Sequence, residues 1–214
     1  MAQENTRDSI LDAAEELMAR RGYANTSMRQ ITGKAKANLA AVNYHFGSKE
    51  GMVAAMLDRR LEPLNRKRME LLEAEMEKAR LEGRRPDIEM LLRALFEPIL
   101  RFFRSSEGGG NFIKIFSQIH SDSDDTIRKH FLRHMIPVFM AFFTAFQEAL
   151  PTLSPDKLAA RIFFCIGSMA HAANILVNEK ITTISSQLKV PMMSDPEGLM
   201  EELIQFNVRG LEIS

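Results

Sequence analysis

Six basic side chains, Arg20, Arg21, Arg29, Lys34, Lys36 and Lys49, fall between Leu17 and Lys49 with no Asp or Glu among them. The whole chain carries 28 basic and 28 acidic residues, a net charge of zero. This interval is therefore a local positive field on a neutral background. Such a field suits a polyanion: neutralising backbone phosphates releases counterions and gives an affinity that falls as salt rises. The same interval holds side chains that can read a sequence. Asn43 can form paired hydrogen bonds with an adenine edge. Leu39, Ala40 and Ala41 are small or apolar, so backbone can approach base edges and an alanine methyl can meet a thymine methyl. Tyr44 and His45 suit phosphate contacts. Lys49, next to Ser48, offers an ammonium and the free N–H groups of a helix start. Lys36 adds positive charge near the same phosphates. His45 has no companion ligands at metal spacing, so neither a metal nor a cofactor is expected.

The elements that position these residues are legible from caps and periodicity. Ile10, Leu11, Ala14, Leu17 and Met18 draw an apolar stripe on a first helix, with Asn5 or Thr6 suited to cap it and Gly22 to end it. Ser27 with Gln30 forms a capping box for a short helix to about Ala35. Asn38 caps a third helix, Leu39 to Phe46, with Val42 and Phe46 facing inward and Gly47 as the stop. Ser48 then caps a long fourth helix running into the eighties, with Pro63 inside it as an expected kink. Two short helices joined by residues 36–38 within a three-helix unit make a helix-turn-helix, whose second helix enters the major groove of duplex DNA.

Beyond Gly83-Arg84-Arg85-Pro86 the composition changes, and thirteen of the fourteen phenylalanines lie after position 95. Helical patterns are expected at about 87–104, 111–121, 124–150, 155–180 and 196–212. The expected fold is all-α: a helix-turn-helix head over residues 1–47 and a larger helical body over 48–214. Cys165 sits in an apolar stretch and reads as core in a reducing, cytoplasmic setting. The apolar runs 136–146 and 162–177 fall short of a bilayer span, so no membrane partner is expected. Phenylalanine and methionine can line an adaptable apolar cavity. Candidate lining residues are Phe96, Phe103, Phe116, Phe142 and Met169, with Arg93, Arg101, His120, His134 and Asn174 as polar anchors. There is no Gly-rich phosphate loop or nucleophile elbow. An all-α enzyme is therefore disfavoured, and a helical adaptor would leave the acid-free basic interval without a purpose.

The segment Ile10-Leu11-Asp12-Ala13-Ala14, Gly22-Tyr23, Thr26-Ser27-Met28-Arg29-Gln30-Ile31 and Asn38 through Glu50 closely resembles the TetR family. The resemblance implies a homodimeric, ligand-responsive transcription factor, usually a repressor, on a near-palindromic operator. It implies DNA contacts at Thr26, Ser27, Arg29, Leu39, Ala40, Asn43, Tyr44, His45 and Lys49. One departure is plain, because Lys36 stands where the family usually has glycine in the turn. The Asn38–Lys49 string is similar to the PsrA-like branch, which implies a fatty acid or acyl-CoA effector. Small residues on helix 155–180 and Leu199, Leu203, Phe206 and Gly210 on the last helix are expected to pair two subunits.

Overall fold

The computed structural model describes residues 2–105, 109–118, 125–178, 181, 183, 187–190 and 195–213. Every element among them is an α-helix. In chain order these are α1 (Ala2–Arg21), α2 (Met28–Ala35), α3 (Leu39–Phe46), α4 (Lys49–Glu82), α5 (Ile88–Ser105), α6 (Gly109–Gln118), α7 (Asp125–Ala149), α8 (Pro155–Val177) and α9 (Pro196–Glu212). The expected boundaries are met within a few residues except at the start, and the expected ends between 119 and 124 lie outside the described residues. Helix α1 begins at Ala2, upstream of the Asn5 or Thr6 cap, since neither proline nor glycine interrupts the preceding residues.

The chain divides into two compact units, Met1–Pro63 with Ser106–His134, and Leu64–Ser105 with Met135–Ser214. The first unit therefore reaches beyond residue 47. Helix α6 packs along α1, and two arginines from α4 bind a buried carboxylate on α1. Helices α1, α2 and α3 pack on one another around Ile10, Leu11, Ala14, Met18, Ile31 and Val42, all at most 1% exposed. That is the apolar stripe of the sequence turned inward, and burying it is the main drive for the head to fold.

In the second unit α9 packs against both α5 and α8. Arg93 of α5 is held by Glu89 and Glu97 on its own helix and reaches Glu201 of α9 at 2.7 Å. Asn207 of α9, 3% exposed, shares a hydrogen bond with Ser168 of α8 and donates to the Leu203 carbonyl. Glu75 closes the turn between α4 and α5 by accepting from Arg84 and from the Asp87 backbone N–H. Burial alone would raise its pKa, but those partners hold it below the ordinary carboxylate value. Helix α8 forms one continuous run of 23 residues, within the expected 155–180. By length and composition it could cross a bilayer, yet here it packs against α9.

Candidate nucleic-acid interface

The α2–α3 pair is built from its caps. At the start of α2 the Gln30 backbone N–H donates to Ser27 Oγ at 3.3 Å, and the Ser27 N–H donates to Gln30 Oε1 at 2.8 Å. Helix α2 buries Ile31 and Thr32 and ends at Lys36, whose backbone is left-handed with φ 52° and ψ 35°. The turn keeps the geometry that glycine would adopt without strain, and a lysine supplies it. An L-residue there carries a cost on the order of 1 kcal/mol. The Ala37 N–H closes the turn on the Thr32 carbonyl at 3.0 Å. Asn38 Oδ1 then accepts from the Ala41 N–H at 2.7 Å to start α3.

Two glycines fix how α3 leaves. Gly47 caps it with φ 72°. A Cβ built on Gly51 would lie 2.2 Å from the Phe46 carbonyl oxygen, so only glycine lets the first turn of α4 pass the end of α3. Ser48 Oγ accepts from the Gly51 N–H at 3.0 Å, completing that cap.

Helix α3 is pinned from below by Val42, which is fully buried; Phe46 is half-buried with the Arg7 guanidinium 5.6 Å from its ring centre. Its other side is open. Leu39 is 49% and Tyr44 76% exposed, and Ala40 and Asn43 are exposed with them. His45 is half-buried, with its ring edge-on to Tyr44 at 5.1 Å. Ser27, Arg29 and Lys36 are also exposed. An apolar residue and a tyrosine held out on a short, well-capped helix are costly to leave in water, and they suit contact with the edges and backbone of a duplex.

Two expected contacts sit differently. Thr26 is 1% exposed, and its hydroxyl donates to the Gly22 carbonyl at 2.8 Å. It locks the α1–α2 turn and does not reach the surface. Lys49 Nζ donates to the Tyr23 carbonyl at 2.7 Å and lies 3.9 Å from the centre of the Tyr23 ring. Its ammonium thus clamps the start of α4 to the α1–α2 turn. The field is also weaker than the linear sequence suggests. Glu16, one residue ahead of the acid-free interval, pairs with Lys34 at 2.8 Å and Arg20 at 3.5 Å. The hydrogen bond from Lys34 holds the Glu16 carboxyl below its ordinary value.

Several of the expected effector residues among those described are taken up by the core or by ion pairs. Phe96 and Phe142 are 2% and 1% exposed and belong to the packed core, as does Met169 at 7%. Asn174 is half-buried. Arg93 is ion-paired with three glutamates, a surround that repels a further anion. With Glu97, Arg101, Glu197 and Glu201 it lines a cleft of about 400 Å³ that is rich in carboxylates. Arg101 is largely exposed and approaches Glu97 at 3.7 Å. His134 Nε2 lies 2.6 Å from Asp58 Oδ1 and ties α7 to α4 inside the first unit. The side chains of Phe103 and Phe116, and the whole of His120, lie outside the described residues.

Residues 10–56 match the family profile described as bacterial regulatory proteins, tetR family, and residues 93–210 match the tetracyclin repressor-like C-terminal domain. The chain belongs to the TetR family. Over 56 residues it is 45% identical to the HTH-type transcriptional repressor Rv3405c of Mycobacterium tuberculosis, covering 26% of this chain and 30% of that protein. It is 36% identical over 55 residues to the repressor NicS of Pseudomonas putida, covering 26% of each. The chain thus spans under a third of the length of these relatives. Across the whole fold it resembles NalD, the secondary repressor of the MexAB-OprM multidrug efflux pump in Pseudomonas aeruginosa. The TM-score is 0.60 at 22% identity, covering 97% of each chain. A transcriptional regulator from Rhodococcus sp. Rha1 gives 0.62 at 15% identity, covering 97% of this chain and 98% of that one.

Within this TetR-family chain, two features escape a linear reading. Glu15 of α1, 1% exposed, receives Arg60 at 2.9 and 3.1 Å and Arg59 at 3.2 Å. The acid lies on α1 and both bases on α4, more than forty positions away, so no local spacing signals the pair. Arg68 is buried at 5% exposure. It ends the polar run Asn65-Arg66-Lys67-Arg68, and the one local signal of its burial is its place a turn from Leu64 and Leu72 on the same face of α4.

Proposed function

We propose that this protein is a cytoplasmic transcriptional repressor that binds a near-palindromic DNA operator as a homodimer and is released by a hydrophobic small molecule. The observation that carries the reading is the exposed face of α3. Leu39, Ala40, Asn43 and Tyr44 stand out from a helix whose opposite side is anchored by Val42. In this assignment α3 lies in the major groove, with Asn43 and Ala40 at base edges. Tyr44, His45, Ser27, Arg29 and Lys36 take the flanking phosphates. Lys49 acts chiefly by holding the start of α4 in place. Residues 1–47 do the reading, and residues 48–214 carry dimerisation and effector response.

The proposed dimer surface is formed by α8 and α9. Phe163 is 62%, Phe164 73%, Phe206 70% and Ile213 64% exposed. Gly167 and Gly210 have open space where a Cβ would stand, which lets another backbone approach closely. Pairing two such faces sets the recognition helices one DNA turn apart, about 34–36 Å. The effector class follows from the apolar, phenylalanine-rich body and from the resemblance to PsrA-like regulators. A ligand that binds one dimer geometry better than the other shifts the population away from the DNA-competent form.

The test is fluorescence anisotropy with a duplex from the gene's own promoter region. The logarithm of the affinity should fall steeply and linearly with the logarithm of salt concentration. Tyr44→Ala should weaken binding by about tenfold, a typical share for one interface contact, with an unchanged melting curve. Binding that ignores both salt and sequence would sink the proposal.

A further inference from the structure

Arg68 is a buried guanidinium with no carboxylate partner among the described residues. Its Nε donates to the Leu95 carbonyl of α5 at 2.8 Å, and its Nη1 donates to Asn65 Oδ1 at 3.0 Å. The same Nη1 faces the Met135 sulfur of α7 at 3.7 Å, and a thioether is a weak acceptor. None of these partners is charged, and no ion pair to Arg68 occurs among the described residues. Other arginines tucked into this protein are compensated: Arg60 by Glu15, Arg84 by Glu75, Arg93 by three glutamates. Burial lowers the pKa of Arg68 to about 10, which leaves it charged at neutral pH.

An ion in a low-dielectric core without a counter-charge is worse than an apolar side chain of the same volume. Part of the guanidinium has a structural use. Pro98 lies three residues beyond Leu95 and has no N–H to donate, so the Nε bond supports the α5 backbone in the turn before the proline. That bond and Asn65 occupy two of five N–H donors, and the charge itself remains unmatched.

The surroundings say what the missing partner is. Leu64 and Leu72 lie one turn either side on α4, Leu92 and Ile99 flank Leu95 on α5, and Val138 and Phe142 follow Met135 on α7. All six are at most 4% exposed. One cation on apolar walls calls for one anion on an apolar body. The planar fork of guanidinium matches a carboxylate with two parallel hydrogen bonds. Coenzyme A and other polyphosphates would need several cations, and a thioester offers no anion. Asn65 and Met135 are only half-buried, so the guanidinium lies one side chain beneath the surface. The unbranched, flexible Met135 can move aside.

We propose that Arg68 anchors an effector site for an apolar monocarboxylate, whose carboxylate pairs with the guanidinium beneath Met135. The inference rests on the effector reading above and adds to it the anchor and the ligand class. It discards Arg93 in that role and favours the free acid over the acyl-CoA.

Thermal shift and calorimetry on the full-length protein should compare straight-chain acids, hexanoate to hexadecanoate, with the matching primary alcohols and CoA thioesters. At least one acid should bind about tenfold or more tightly than its alcohol, the scale of a charge-assisted hydrogen bond, and release DNA in the anisotropy assay. Arg68→Met should abolish that preference while keeping DNA affinity and native helicity. Equal binding of acid and alcohol, or a preference that survives in Arg68→Met, overturns the assignment. If only neutral compounds or thioesters bind and release DNA, the effector reading stands and the Arg68 site falls. If no compound binds, both fall. Should Arg68→Met fail to fold, the acid-versus-alcohol comparison on the unaltered protein still decides.

Discussion

Replacing Lys36 should make the protein more stable and a poorer DNA binder at once. Lys36 holds φ 52° and ψ 35° at the end of α2, a conformation that costs an L-residue about 1–2 kcal/mol through its Cβ. Glycine removes that cost but gives back about 0.5–1 kcal/mol of unfolded-chain entropy. The net expected gain for Lys36→Gly therefore lies within about 0–1.5 kcal/mol, centred near 0.75 kcal/mol, or a melting shift of a few degrees at this chain length. The same change deletes one exposed positive charge beside the proposed phosphate contacts. The slope of log affinity against log salt should become shallower by about 0.9, the value for one phosphate neutralised. Lys36→Ala separates the two effects, because it loses the charge and retains the Cβ. It should show the shallower slope without the added stability. Calorimetric melting and salt-titrated anisotropy on the three proteins provide the measurement. A Lys36→Gly protein no more stable than Lys36→Ala would refute the strain argument, and unchanged salt slopes would refute the phosphate contact.

Two further outcomes are expected. Glu15→Gln replaces a buried carboxylate held by Arg60 and Arg59 and leaves Arg60 facing a neutral amide. Urea denaturation should show a loss of about 2–3 kcal/mol, below the 3–5 kcal/mol of a fully buried pair because Arg59 keeps Asp12; a loss under about 0.5 kcal/mol would mark it as an ordinary surface pair. Phe206→Glu places a charge on the proposed α8–α9 surface. Light scattering should report a monomer with unchanged helicity and weakened operator binding, and a persistent dimer would rule that surface out.

The head was legible because its information is local. Caps at Ser27 and Asn38, the stop at Gly47 and the inward stripe from Ile10 to Met18 act over three to five residues. A linear reading with helical spacing therefore recovers α1 to α3 and the exposed side of α3. Helix α8 was recognisable as a helix for the same reason. What the linear reading could not supply is pairing at a distance. A count along the sequence takes Lys49 and Lys34 as unpaired positive charge, whereas Tyr23 and Glu16 engage them. The same reading takes Thr26 as a contact, whereas the hydroxyl is spent on the Gly22 carbonyl. The body shows the limit most clearly. Arg93 and Arg68 are both arginines on long helices, the first among leucines and the second at the end of a basic run. Glu201, more than a hundred positions away, saturates the first, while the meeting of α4, α5 and α7 buries the second without a counter-ion. Sequence thus determined the family, the helices and the exposed side of α3, all set by local hydrogen bonds and periodic burial. Which cation keeps its charge unmatched was decided by tertiary packing alone, because desolvation and ion pairing depend on which distant residues the fold brings within a few ångströms.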